Sequence, residues 1–305
     1  MRTAREPIVR GSVKDIYEVD SEEIEFVFSD RISVFDKLVP VEIPHKGEVL
    51  ARTAAFWFEV TNSLRVKTHF VEMTSPRSLK VRRVAVIRDY DQITSQTRGF
   101  LIPIEFVSRY YVAGTLYDRI RAGVIKPEVL GFPSDHVPAY GEKLPRPFFE
   151  TGTKLEPVDV FIPPEQAMAM SSITQGQLQE IWSIVHRLDQ EIQSVLDSHG
   201  RLIHPDGKKE FAIDSDGSLM LVDTFGTPDE DRFWDAEAYT EGRCVELSKE
   251  YVRQYYRSTG YKDTLYQARE AGKPEPPMPP LPQEEVRNAS EIYVALYERI
   301  TGQTF

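Results

Sequence analysis

Two acidic residues flank a short turn in the second half of the chain. Glu210 and Asp223 lie at matching distances from Asp216-Gly217, at the ends of two short apolar runs. Asp-Gly between such runs predicts a β-hairpin whose two turn residues both have positive φ. With Ser215 opposite Ser218, Glu210 would lie directly across from Asp223, where like charges repel. The pair therefore predicts a bound divalent cation, Mg²⁺ with phosphate oxygens, or else two solvated acids at strand ends.

A glycine turn near the N-terminus is a candidate phosphate-binding loop. Gly11, Ser12 and Lys14 lie between two short strand-like runs. Backbone N–H groups and a lysine ammonium in such a turn can face a chain of phosphates. The segment is neither a P-loop nor a dinucleotide-binding fingerprint. An ordinary hairpin with one glycine and one lysine is the alternative.

Polar side chains also follow the apolar strand that ends near residue 28. Arg31, Ser33 and Asp36 belong to the segment Ser-Asp-Arg-Ile-Ser-Val-Phe-Asp at 29–36. A dense mixture of donors and acceptors suits a polar amino-acid substrate. A capped turn is the simpler alternative.

An arginine and a hydroxyl form a candidate phosphate clamp. Arg109 precedes Thr115 by six residues, and Ala113-Gly114 between them permits close backbone approach. A guanidinium fork with a hydroxyl suits a phosphate monoester. Alternatively, Arg109 pairs with Glu105, four residues earlier.

Mixed charges flank the predicted hairpin. Asp206 and Lys208 precede it, and Arg232 follows it within Thr-Pro-Asp-Glu-Asp-Arg-Phe-Trp-Asp at 227–235. The two cations bring positive charge to a region that otherwise holds only acids. This mixture predicts a ligand with a metal-bound polyphosphate and a separate phosphate.

Hydrophobic periodicity predicts the elements that must position these residues. The chain reads as β-rich from 8 to 104 with one helix near 51–64, and a capped helix runs from Thr174 to Gly200. The remaining predictions are a hairpin at 16–28, strands at 67–73, 79–88 and 99–104, an inserted hairpin at 88–98, loops at 126–170, helices at 248–257 and 290–300, and a proline-rich strap at 273–282.

Composition excludes several classes of protein. The chain has 305 residues, 41% hydrophobic and 28% charged, with a net charge of −11. The acidic balance argues against a nucleic-acid partner, since such binding requires excess Lys and Arg. No apolar run reaches membrane-spanning length, and the N-terminal residues lack the apolar stretch of a secretory signal. With Cys244 as the lone cysteine, we expect a cytoplasmic protein without a membrane partner.

Taken in order, these segments resemble the phosphoribosylaminoimidazole-succinocarboxamide synthase (SAICAR synthetase) family over nearly the whole chain. No single motif is decisive, but their collinear occurrence is highly specific. The motifs are Ser-Asp-Arg-Ile-Ser-x-Phe-Asp at 29–36, Lys-Gly-Glu-Val-Leu at 46–50, Ile-Pro-Ile-Glu…Arg…Ala-Gly at 102–114, Lys-Leu-Pro at 143–145, Thr-Lys at 153–154, Asp-x-Lys-x-Glu-Phe at 206–211 and Thr-Pro-Asp…Arg-Phe-Trp-Asp at 227–235.

The resemblance implies a two-lobed α/β fold related to ATP-grasp and kinase-like nucleotide folds, with C-terminal helices. A β-rich nucleotide-binding lobe would span 1–112, and a lobe with the metal and ribotide sites would span 113–305. The implied reaction joins L-aspartate to carboxyaminoimidazole ribonucleotide (CAIR) in purine biosynthesis, and cleaves ATP to ADP and phosphate. Because a carboxylate is a poor acyl donor, we expect an acyl phosphate intermediate. A homo-oligomer is compatible with the sequence.

The resemblance also implies roles for the nucleotide and metal residues. Gly11, Ser12 and Lys14 would contact the ATP phosphates. Glu210 and Asp223 would hold Mg²⁺. Many family members carry Gly-Lys where this chain has Gly-Ser at 11–12, so Lys14 is the remaining cation of that loop.

A second group of residues would bind the ribotide. By the resemblance, Arg109, Thr115 and Arg232 would bind its phosphate, and Asp206 and Lys208 would lie near its ribose or carboxylate. Serine is usual at position 115, and threonine preserves the hydroxyl.

A third group concerns aspartate and phosphoryl transfer. Arg31, Ser33 and Asp36 would lie near the amino acid, and Lys154 would neutralise charge on the transferred phosphoryl group. Lys209 stands where the family usually has an aromatic residue.

Two other functions would explain part of the pattern. A different ATP-dependent carboxylate–amine ligase or small-molecule kinase would keep the metal pair and the glycine loop but not the ribotide clamp. A non-catalytic binding module would be expected to have lost a metal carboxylate or Lys14, and this chain retains them.

Overall fold

The computed structural model describes residues 5–156 and 160–305. Within them the chain forms fourteen strands, eight α-helices and two short 3-10 turns. The strands are β1 (Val9–Arg10), β2 (Lys14–Glu18), β3 (Glu23–Phe28), β4 (Arg31–Val34), β5 (Lys37–Glu42), β6 (Phe70–Ser75), β7 (Ser78–Arg82), β8 (Phe100–Tyr111), β9 (Lys143–Thr153), β10 (Phe161–Ile162), β11 (Leu202–Ile203), β12 (Asp206–Ile213), β13 (Leu219–Val222) and β14 (Trp234–Asp235). The helices are α1 (Lys46–Ser63), α2 (Gly114–Arg121), α3 (Pro164–Ser171), α4 (Gln175–His199), α5 (Ala236–Thr240), α6 (Glu250–Ser258), α7 (Tyr261–Glu270) and α8 (Gln283–Thr301).

The first compact unit contains the described residues up to Phe56, together with Phe70–Arg83 and Glu246–Phe305. Its antiparallel sheet has the strand order β1-β2-β3-β7-β6, and β4 and β5 form a separate ribbon. The predicted first hairpin is confirmed: β2 pairs with β3, and the Asp20 carboxylate accepts bonds from two backbone N–H groups in the turn. Apolar residues of the ribbon and of α6, α7 and α8 form one buried cluster.

The proline-rich segment at 273–282 packs against its own unit, as predicted for a strap. The Tyr256 hydroxyl donates to the Pro279 carbonyl at 2.7 Å, and the Tyr261 hydroxyl donates to the Pro276 carbonyl at 3.1 Å. Leu281 at its end is buried in the apolar cluster. Proline carbonyls that accept from buried tyrosines fix the segment in place.

The second unit contains Trp57–His69 and Val84–Val245. Its five-stranded antiparallel sheet has the order β10-β9-β8-β12-β13. Helix α4 packs on this sheet, where Trp182 contacts Phe106 of β8 and Phe149 of β9. Strand β8 is long and almost continuously buried, which is why it carries so few charged residues. Both of its charged residues, Glu105 and Arg109, belong to the site described below.

The boundaries of these units differ from the predicted division after residue 112. The first boundary lies within α1, and β8 pairs with β12 from much later in the chain. Hydrogen bonding between distant strands, rather than chain order, sets the units. The assignment of nucleotide binding to residues 1–112 stays a prediction.

Two predictions of local structure were wrong. Residues 88–98 form no hairpin; they make a 3-10 turn at Tyr90–Gln92, with the Asp89 carboxylate accepting the Asp91 N–H. The predicted loops at 126–170 include β9, whose Pro145 and Pro147 lie where its register with β8 shifts. Proline is tolerated at such an irregularity because no ladder hydrogen bond is required there. Part of that segment, 157–159, lies outside the described residues.

The cap of α4 provides a stability test. Thr174 Oγ1 accepts the Gln177 N–H at 3.1 Å, and the Gln177 side chain accepts the Thr174 N–H at 2.9 Å. We expect Thr174→Ala to lower the free energy of unfolding by about 1 kcal/mol, and Thr174→Ser to preserve it. Urea denaturation of both variants measures the difference. Equal stability of the alanine and serine proteins would contradict this prediction.

Candidate active site

The Asp-Gly hairpin is confirmed, but its predicted register was wrong by one residue. Asp214 pairs with Ser218, so Glu210 lies opposite Val222 rather than Asp223. Only Gly217 has positive φ in the turn, at 85°. The loop therefore has three residues and one left-handed glycine, an alternative that Asp-Gly sequences also permit.

The like-charged pair of this sheet consists of Glu105 and Glu210, directly opposite each other on β8 and β12. The Lys208 ammonium bridges them, at 2.9 Å from Glu105 Oε1 and 3.0 Å from Glu210 Oε1. It also lies 3.1 Å from Glu230 Oε2. A cation thus relieves the repulsion that such a cross-strand pair would otherwise create.

Asp223 reaches the same cluster by leaving the strand. Its φ of 58° is left-handed, a conformation that aspartate adopts more readily than most residues. His69 Nε2 lies 3.1 Å from its backbone carbonyl oxygen. Lys154 Nζ lies 2.6 Å from Glu210 Oε1 and 3.9 Å from Asp223 Oδ2. The two predicted metal ligands therefore share one ammonium.

Both lysines of this acid–lysine cluster remain charged. Burial disfavours the ammonium of Lys154, but Glu210, and then Asp223 and Glu105, raise its pKa overall. Burial likewise opposes the charge of Lys208, whose pKa the neighbouring carboxylates raise well above its usual value. Two ammonium groups consequently face four carboxylates, which are those of Glu105, Glu210, Asp223 and Glu230. The excess of two negative charges matches one divalent cation.

The residues of this cluster fit Mg²⁺. Glu210 is almost fully buried, and its Oε2 has no hydrogen-bond partner among the described residues. A buried carboxylate oxygen without a partner is costly unless a cation binds it. Carboxylates are the protein ligands that Mg²⁺ prefers, and it keeps its remaining positions for water and phosphate oxygens.

A second cluster lies at the other end of β12. Arg109 donates to Glu150 Oε2 at 2.6 Å, to Asp206 Oδ2 at 3.1 Å and to Thr115 Oγ1 at 3.1 Å. The structure thus brings Arg109 and Thr115 together, as the spacing predicted. The alternative pairing with Glu105 is wrong, because residues four apart are neighbours on a helix but not on a strand.

Arg232 completes this arginine cluster. Its guanidinium donates to Asp206 and packs on Gly114, where an added Cβ would lie only 2.4 Å from Nη2. Gly114 also has a φ of 51° and begins α2, which has no side-chain cap. The uncapped helix N-terminus adds its positive dipole to two arginines, an arrangement that favours a bound anion.

Three residues of the arginine cluster were missed by the sequence analysis. Arg119 donates to Glu150 at 2.5 Å, and its guanidinium lies 4.4 Å from the ring centre of Phe161. Arg119 follows Thr115 by four residues on α2, so helical spacing could have found it. Glu150 and Phe161 come from β9 and β10, and no local pattern pointed to them. Among the described residues, these contacts join three guanidinium groups to two carboxylates, an excess of one positive charge.

The loop predicted to bind nucleotide phosphates lies in the first unit. Gly11 donates its N–H to the Lys14 carbonyl at 3.0 Å, and an added Cβ would approach that oxygen to 2.6 Å. Ser12 lies exposed in the turn between β1 and β2. Lys14 Nζ lies 4.6 Å from the ring centre of Phe26. The turn therefore requires glycine and carries a lysine over an aromatic face.

The three residues predicted near the amino-acid substrate have different neighbours. Arg31 donates to the Gly11 carbonyl at 2.9 Å and to the Asp15 carboxylate at 2.6 Å, which ties it to the glycine turn. Ser33 pairs with Leu38 within the ribbon. Asp36 lies in the turn of that ribbon with a φ of 62°, and its carboxylate accepts from Arg269 at 3.4 Å.

Strand β12 therefore carries two clusters of opposite net charge. Asp206 of the arginine cluster and Glu210 of the acid–lysine cluster are about 13 Å apart at about 3.3 Å per residue. Lys208 lies between them on the same face. A cationic cluster beside an acidic one is typical of enzymes that act on phosphorylated substrates. Among the described residues, no helix is both long and apolar enough to span a membrane.

The chain belongs to the SAICAR synthetase family, whose model matches residues 7–268. It is 48% identical over 296 residues to the phosphoribosylaminoimidazole-succinocarboxamide synthase of Thermoplasma acidophilum, covering 97% of this chain and 98% of the relative. The enzyme of that name from Nitrosopumilus maritimus is 31% identical, with 97% and 98% covered.

Solved structures share the fold. A Saccharomyces cerevisiae SAICAR synthase in complex with SAICAR is 25% identical, with a TM-score of 0.73 over 99% of this chain and 96% of that one. A SAICAR synthetase in complex with ADP is 24% identical, with a TM-score of 0.69 over 97% and 98%. The mixed α/β fold with C-terminal helices is thereby confirmed.

Proposed function

We propose that the two clusters on β12 bind different substrates of the family reaction. That reaction joins L-aspartate to the carboxylate of CAIR and cleaves ATP to ADP and phosphate. The arginine cluster binds the phosphate of the ribotide, and the acid–lysine cluster binds Mg²⁺ and the ATP phosphates. The observation that carries this proposal is the opposite net charge of the two clusters, four residues apart on one strand.

The acid–lysine cluster prepares the site for phosphoryl transfer. Glu210 and Asp223 would hold Mg²⁺, which when bound would neutralise phosphate charge on ATP. The Lys154 ammonium, 2.6 Å from Glu210, supplies a further fixed positive charge for the transferred phosphoryl group. Lys208, between the clusters on β12, is assigned to the CAIR carboxylate.

The order of chemical steps follows from the reactants. The carboxylate of CAIR attacks the terminal phosphorus of ATP, which forms an acyl phosphate and releases ADP. The amine of aspartate then attacks the acyl carbon, and phosphate leaves. The protein's main task is to hold several anions in mutual reach, so positioning and charge neutralisation dominate catalysis.

The remaining contacts of this proposal are those predicted from the sequence for residues 11–36. Gly11, Ser12 and Lys14 contact the ATP phosphates, and Arg31, Ser33 and Asp36 lie near aspartate. The hydrogen bond from Arg31 to the Gly11 carbonyl joins the residues proposed for aspartate to the loop proposed for the ATP phosphates. A cytoplasmic location and a homo-oligomeric assembly remain predictions from the sequence.

A coupled ADP-release assay tests the proposal. We expect sustained ADP and phosphate release only when CAIR, L-aspartate and Mg²⁺–ATP are all present, with SAICAR detected as the product. ADP release without aspartate, with a stable phosphorylated product, would indicate a kinase instead. No ADP with all three substrates would refute the catalytic function and leave a binding module.

A further inference from the structure

A lysine on the opposite face of β12 is fully buried. Lys209 lies between the site residues Lys208 and Glu210, and alternation along the strand directs its side chain away from them. Its ammonium donates to Asp189 Oδ1 of α4 and lies 3.2 Å from Asp231 Oδ2. A buried charge is stable only when it is paired, so these contacts are required by the fold.

The network extends to two further side chains. His204 Nε2 lies 2.7 Å from Asp231 Oδ2, and the Tyr110 hydroxyl donates to Asp189 Oδ2 at 2.8 Å. Burial raises the pKa of Asp231, but Lys209 and His204 outweigh it and lower the pKa below its usual value. The carboxylate therefore remains ionised behind the site.

This network is not a metal site. Ligand atoms of Asp189, His204 and Asp231 lie within 4.8 Å of one another, as metal ligands could. The Lys209 ammonium, however, already bonds to both carboxylates. The protein itself thus supplies the cation at this position.

The buried lysine is connected to the arginine cluster through a short path. Asp231 directly precedes Arg232, whose N–H donates to the Asp206 carbonyl at 3.1 Å. Gly207, next to Asp206, packs on the network: an added Cβ would lie 2.1 Å from Asp231 Oδ2 and 2.7 Å from Lys209 Nζ. A displacement of Asp231 would therefore move both Arg232 and Asp206 of the arginine cluster.

We propose that Lys209 is a positioning residue for ribotide binding, which it achieves by fixing Asp231 and thereby the guanidinium of Arg232 opposite Asp206. The inference rests on the proposed function, because it assigns a reason for the geometry of the same arginine cluster. Lys209 touches no substrate in this proposal. It acts through the backbone that joins Asp231 to Arg232.

Lys209→Met tests the inference, since methionine keeps an unbranched side chain and removes the charge. We expect the KM for CAIR to rise about 10- to 100-fold, as misplaced binding groups cause, with the KM for ATP unchanged. Asp231→Asn, which retains the shape of the side chain, is expected to raise the CAIR KM in the same way. If Lys209→Met does not fold, the CAIR KM of Asp231→Asn tests the inference instead.

Lys67→Met is the matched control. Lys67 also pairs with two aspartates, Asp214 and Asp216, at the turn of the same hairpin. We expect its CAIR KM to equal that of the unaltered protein.

An active Lys209→Met or Asp231→Asn protein with an unchanged CAIR KM would overturn the inference alone, whatever its melting temperature. A CAIR KM that rises equally in Lys67→Met would also overturn it. Absence of CAIR-dependent ADP release in the unaltered protein would remove the proposed function, and this inference with it.

Discussion

Asp223→Asn is expected to lower kcat by about 10²- to 10³-fold, the range for removal of one preorganised electrostatic contact. The substitution takes one of four negative charges from the acid–lysine cluster and weakens Mg²⁺ binding. Asparagine adopts positive φ about as readily as aspartate, so the 58° at this position stays unstrained. The side chain is also partly exposed. We therefore expect the melting temperature to change little.

The measurement is ADP release at saturating CAIR and aspartate over a range of Mg²⁺ concentrations. The concentration of Mg²⁺ that gives half-maximal rate should rise in Asp223→Asn. Asp216→Asn is the control, since Asp216 lies on the same hairpin and bonds to Lys67 and Ser218 instead. Normal kcat with normal Mg²⁺ dependence in Asp223→Asn would remove this residue from the metal site.

Arg232→Ala is expected to raise the KM for CAIR at least about 30-fold, equivalent to about 2 kcal/mol for a lost partner in a buried charged contact. The substitution removes one of three guanidinium groups and leaves Asp206 with Arg109 alone. The net charge of the arginine cluster then falls to zero, so attraction for a phosphate dianion is lost. Initial-rate kinetics with varied CAIR measure the change.

Two comparisons make this result specific. Arg232→Lys should recover little of the affinity, because an ammonium cannot reproduce the planar fork of a guanidinium. Arg201→Ala removes an exposed arginine paired with Glu237 and should leave the CAIR KM unchanged. If Arg232→Ala affects the ATP KM and not the CAIR KM, the cluster binds a different ligand.

Local sequence patterns were sufficient to predict those features that depend on residues close together in the chain. The predicted limits of α4 agree with the structure because Thr174 forms a complete capping box and Gly200 ends the helix. The Arg109 and Thr115 clamp was predictable because a short stretch of chain contains both groups. The hairpin between β12 and β13 followed from Asp-Gly, but its register did not. Two turn types suit that dipeptide, and they differ by one residue.

Pairing between strands that are distant in sequence explains why the other site contacts could not be predicted. Glu150 joins the arginine cluster because β9 pairs with β8, and β9 itself was hidden by its prolines. Lys208 bridges Glu105 and Glu210 only because β8 and β12, about a hundred residues apart in sequence, are neighbours. Lys209 differs from the aromatic residue usual in the family, yet its two aspartate partners come from α4 and from the loop after β13. Periodicity cannot reveal such partners.

In the proposed function, the alternation of Asp206, Lys208 and Glu210 on one strand ties recognition of the sugar phosphate to recognition of the nucleotide. A slip of β12 by one position would turn all three side chains to the face that now holds Gly207, Lys209 and Phe211. Both ligands would then be lost in the same event, rather than one at a time. Natural insertions and deletions should consequently be tolerated at the tip of the hairpin, near Ser215, and excluded from the strand itself.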